Sequence, residues 1–60
     1  MDDLTFEDAH SKEIEVYEFG GKFVLNIYTH EDGVIGAYLQ LEQARVLHRK
    51  LAEYIEEQSR

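Results

Sequence analysis

Sixty residues with thirteen acids, six bases and a formal charge of −7 make one small domain, with no room for a second. Cysteine is absent, which excludes disulfides and every thiolate metal site. A chain this short buries only about 60% of its unfolded surface, so self-association is the remaining way to complete its core.

Residues 1–12 are polar and acidic, with Leu4 and Phe6 the only sizeable apolar groups after Met1. The segment reads as a frayed arm, a short extra strand or a stretch that docks on a partner. Its start is acidic where a secretory signal is basic, and no apolar run is long enough to cross a bilayer. Together with the missing cysteines, this places the chain in the cytoplasm as an expectation.

Residues 13–60 predict a β-β-β-α domain of the α+β class, a three-stranded antiparallel meander closed on one face by a C-terminal helix. Ile14 and Val16 alternate with Glu13 and Glu15, and Phe23, Leu25 and Ile27 alternate with Val24, Asn26 and Tyr28. Period-two alternation of this kind marks half-buried strands. Gly20-Gly21 suits a two-residue primed turn, which pairs Phe19 with Lys22, Val16 with Leu25 and Ile14 with Ile27. At the next turn, His30 to Gly33, a three-residue loop with Gly33 left-handed in a bulge pairs Ile27 with Ala37 and Leu25 with Leu39.

A helix is expected from about Leu41 to Glu57. Ala44, Leu47, Leu51 and Ile55 recur at helical spacing, and His48 and Tyr54 flank the stripe. The stripe should lie across the sheet face of Ile14, Val16, Phe23, Leu25, Ile27, Ile35, Ala37 and Leu39. One helix covers one face. The other gathers Tyr17, Phe19, Val24, Tyr28 and Tyr38 beside Glu13, Glu15, Lys22, Asn26, Val34 and Gln40, with Gly36 opposite Tyr28. Aromatic rings on an open sheet mark an interface, and these five are the expected partner or dimer contacts.

Charge is divided unevenly along the chain. Residues 1–42 hold ten acids and two bases, whereas residues 43–60 hold three acids and four bases. Direct nucleic-acid binding needs clustered Lys and Arg and is excluded on this pattern. Contact with anionic membrane is disfavoured for the same reason. A basic protein partner would be attracted, and Glu13, Glu15, Glu18, Glu31 and Asp32 are the expected acidic recognition surface.

Catalytic, metal and cofactor residues are not indicated. His10, His30 and His48 share no ligand-like spacing. His30, Glu31 and Asp32 form a polar hairpin tip, and His48 borders the core stripe. Glu13 and Glu15 fall short of the six to eight oxygens that calcium takes. The small tautomerases that use an N-terminal proline base are comparable in length, but this chain has no proline.

In size, acidity, missing cysteines and meander-plus-helix plan, the chain resembles small phage-encoded DNA-mimic inhibitors, some of them dimers. The likeness lies in composition and plan and carries no residue across. It implies an inhibitor that occupies the basic surface of a nucleic-acid-binding protein. The segment Leu41-Glu42-Gln43-Ala44-Arg45, followed by Leu47 and Leu51, is similar to the closing helix of small bacterial and phage proteins. That similarity implies a homodimeric accessory or adaptor protein without mimicry.

Overall fold

Gly20 and Gly21 both take positive φ, 59° and 78°, the conformation a two-residue primed turn requires and glycine adopts without penalty. The turn joins β2 (Glu13–Phe19) to β3 (Lys22–Tyr28) in the expected register, with Val16 opposite Leu25 and Ile14 opposite Ile27. The structure, a computed structural model, describes residues 1–31 and 33–60. Asp32, expected in the acidic surface, lies outside the described residues.

The third strand of the predicted meander, β4 (Val34–Leu39), pairs with β3 two residues away from the expected register. Phe23 faces Leu39, Leu25 faces Ala37 and Ile27 faces Ile35. Among the described residues, positive φ occurs at Ser11, Gly20 and Gly21. Thr29 supplies the reason. Its backbone N–H donates to the Gly33 carbonyl at 2.8 Å, and its hydroxyl oxygen accepts from the Gly33 N–H at 3.1 Å. These bonds close the loop one step beyond the Tyr28–Val34 pair without a bulge. A slip of two residues keeps every side chain on its face, so the two faces are those expected.

Of the three possibilities for residues 1–12, the structure has the strand. Strand β1 (Leu4–Glu7) pairs antiparallel with β2, Leu4 opposite Val16 and Phe6 opposite Ile14. The sheet therefore has four strands in the order β1-β2-β3-β4. The β1–β2 loop is tied by Asp8, whose Oδ1 accepts from the backbone N–H groups of His10 and Lys12, each at 2.8 Å. Ser11 completes the loop in a left-handed conformation, φ 65°.

Helix α1 (Leu41–Gln58) follows β4 after the single residue Gln40. The Gln40 N–H donates to Gln43 Oε1 at 3.0 Å, half of a capping box. At the far end the Ser59 N–H bonds the Ile55 and Glu56 carbonyls at 3.0 and 3.2 Å. Glu42–Arg45, Lys50–Glu53 and Glu56–Arg60 form exposed ion pairs, the kind worth roughly 0–1 kcal/mol each.

The helix stands on the expected side of the sheet, hereafter the front, where Ala44, Leu47, His48 and Leu51 gather around Phe23. Among the described residues its backbone comes close to β3 and β4 alone, and coverage is far less complete than the apolar stripe predicts. A one-residue link fixes where α1 begins but does not bend its axis down over β2 and β1. Leu4, Phe6 and Ile35 remain exposed on the front face. No helical residue is buried, and His48, expected at the core boundary, is exposed. Val16 and Val24 are the buried core residues among those described. The radius of gyration, 13.0 Å, exceeds the roughly 10.4 Å of a compact chain this long.

Candidate protein-recognition face

The rear of the sheet is ordered in rows that run across the strands. Glu7, Glu13, Tyr28 and Val34 form one row; Thr5, Glu15, Asn26 and Gly36 form the next. Tyr17, Val24 and Tyr38 form the third, and Phe19 and Lys22 pair at the Gly20-Gly21 end. Val24, with Tyr17 and Tyr38 as its register neighbours, is 0% exposed. Tyr17 and Tyr28 are half-buried, whereas Tyr38 and Phe19 are exposed.

Glu15 organises the second row. Its Oε1 accepts from the Tyr28 hydroxyl at 2.8 Å and from Asn26 Nδ2 at 3.4 Å. The same Asn26 nitrogen reaches the Tyr17 hydroxyl at 3.4 Å. Asn26, not Tyr28, stands opposite Gly36, and a Cβ at Gly36 would come within 2.7 Å of Asn26 Oδ1. The bare backbone seats the amide, where the expected register had placed the Tyr28 ring. Tyr28 is held protonated above its usual range, first by its bond to the Glu15 carboxylate, then by desolvation and by the charges of Glu15 and Glu13. At the sheet end, the Lys12 N–H is the main cause lowering the Asp8 pKa; desolvation opposes it and the His10 N–H adds to it.

The expected acids are only partly brought together. Glu13 and Glu15 share the rear face, joined by Glu7, which β1 places directly opposite Glu13. Glu18 faces the other way, opposite Phe23 on the front. Glu31 lies exposed in the β3–β4 turn at the acidic end. Among the described residues, no ion pair involves Glu7, Glu13 or Glu15. Like charges directly opposite on a ladder repel. A shallow recess of about 660 Å³ opens beside them, lined by Glu7, Glu13, Tyr28 and His30 among others.

Sequence reading missed Glu7 as part of this surface; it set Asn26 and Gly36 there, but not opposite each other. The alternation of Leu4 and Phe6 with Thr5 and Glu7 carried the signal for Glu7. Chemically, the arrangement offers carboxylates beside a half-buried phenol ring, a combination that receives a guanidinium or ammonium group through charge and cation–π contact. Among the described residues no three metal-ligating side chains converge, and no helix is long and apolar enough to cross a membrane. No protein-family model, curated protein or solved structure matches the chain.

Proposed function

We propose that this chain is a non-catalytic, acidic protein-binding module that acts as a homodimer and engages a basic, nucleic-acid-binding partner in the manner of a DNA mimic. The observation that supports this most directly is the rear-face grouping of Glu7, Glu13 and Glu15, to which no basic side chain is paired among the described residues. Mutual repulsion makes such a surface unfavourable in isolation and favourable against positive charge. Tyr28 and Tyr17, steadied by the Glu15 and Asn26 bonds, give the contact fixed aromatic anchors.

A second reading, a homodimeric accessory protein without mimicry, is favoured by Phe19 and Tyr38. Both are exposed at 68% and 58%, away from the acidic end, and suit an apolar contact.

Affinity purification from the native host at low and high salt separates the two readings. A mimic recovers a basic nucleic-acid-binding protein at low salt, loses it at high salt, and is displaced by DNA. Replacing Glu7, Glu13 and Glu15 together with Gln should abolish that recovery. If no such protein is retained at low salt, mimicry is excluded; retention that resists salt but is lost on Tyr38→Ala supports the accessory reading.

A further inference from the structure

We propose that the open front of the sheet and the apolar stripe of α1 form the interface with a second copy of this chain, the two helices lying antiparallel. The inference is independent of what the rear face binds, and it assigns the two sides of the sheet to different partners.

Area is the first argument. The chain exposes 5205 Å², whereas a compact monomer of 7.0 kDa exposes about 4,000 Å². The excess, roughly 1,200 Å², is more than the ~800 Å² that each partner contributes to a standard stable interface. Exposed apolar side chains gather on the front and on the helix stripe. Leu4 and Phe6 on β1, Ile35 on β4, and Leu51, Tyr54 and Ile55 on α1 are all exposed. Between sheet and helix runs an open groove of about 600 Å³, with Leu4, Phe6, Leu25, Leu47 and Leu51 in its walls. The rear face, by contrast, has already enclosed Val24.

Charge settles the direction. The first half of α1, residues 41–50, carries three bases and one acid; residues 51–60 carry three acids and one base. The last turn has no base and holds Glu56 and Glu57, although a helix C-terminus disfavours acids. An antiparallel second helix brings its own N-terminus, with Arg45, Arg49 and Lys50, beside those acids. A parallel one would set acid against acid. A second copy thus supplies the missing apolar cover and adds positive charge beside Glu57, which takes part in none of the ion pairs within its own helix, and Leu51 lies near the centre of the paired stripe.

Sedimentation equilibrium over a concentration series tests the assembly, with the expected mass twice 7.0 kDa. Leu51 is 51% exposed in the single chain, so Leu51→Ala leaves no cavity there; it should weaken dimerisation about tenfold, whereas Tyr38→Ala should leave it unchanged. Orientation is read from cysteine variants, since the native chain has none. Ala44→Cys mixed with Gln58→Cys should form a mixed disulfide, and neither should crosslink to itself. A monomeric mass at every concentration overturns the proposal. So does a dimer lost on Tyr38→Ala but kept on Leu51→Ala, and so does self-crosslinking of Ala44→Cys.

Discussion

The Tyr28 hydroxyl reaches diagonally across the β2–β3 ladder to donate a 2.8 Å hydrogen bond to Glu15. Because a carboxylate accepts this proton, the phenol resists ionisation and its pKa rises above the ordinary 10.0. The folded chain then holds the proton more tightly than the unfolded chain. Its contribution to stability is whole below the ordinary tyrosine value and disappears as pH rises through the folded value. In an ultraviolet titration of phenolate, Tyr28 should ionise above the ordinary tyrosine value, and Glu15→Gln should bring it back toward that value. Ionisation of Tyr28 at the ordinary tyrosine value in the native chain would show the bond absent in solution.

Asp8 makes the opposite prediction at the acidic end of the pH scale. Two backbone N–H groups bond its ionised form, and its pKa falls below 3.8. The stability it supplies is present above that ordinary value and is lost as pH falls through the lower folded one. Denaturation midpoints measured at neutral pH and across the acid range should show this loss in the native chain. Asp8→Ala should be less stable at neutral pH and should lose less on acidification.

Ser11 occupies a backbone region, φ 65°, that disfavours side chains bearing Cβ by about 1–2 kcal/mol. Glycine removes that penalty at some cost in unfolded-state entropy. Ser11→Gly should therefore stabilise the chain by about 0.5–1 kcal/mol, read as a higher denaturation midpoint with an unchanged slope. A lower midpoint would mean that the serine conformation is not strained.

Gly36→Ala tests how the rear face is seated. The new methyl meets the Asn26 amide, which must leave its bonds to Glu15 and Tyr17. The expected outcome is a chain less stable by about 1 kcal/mol, with shifted side-chain amide resonances for Asn26. The Tyr28–Glu15 bond, which Asn26 does not make, should persist. Unmoved Asn26 resonances would show that the amide does not rest on Gly36.

Much of the fold was legible because alternation and turn chemistry agree. Gly20-Gly21 leaves one register for β2 and β3, and the apolar spacing from Ala44 to Ile55 leaves one reading as a helix. The β3–β4 register was not legible. A two-residue slip preserves both faces, and what selects between the slips is a threonine hydroxyl bonding its own loop, which hydrophobic pattern does not encode. Strand β1 was ambiguous because four residues between acidic runs are too few to separate a strand from an arm. The helix stripe states which side of α1 is apolar but not what meets it, so the exposed groove had no sequence signature. Glu18 was grouped with Glu13 and Glu15 by charge, although strand parity turns it to the opposite side.

Only Val16 and Val24 are buried among the described residues, and this has a consequence for dosage. In the dimer proposed above, a chain with so little interior of its own would draw folding free energy from meeting another copy, so its stability would scale with its abundance. At low expression it would be cleared by proteolysis before it could accumulate, and its presence in a cell would rise steeply past a threshold of synthesis.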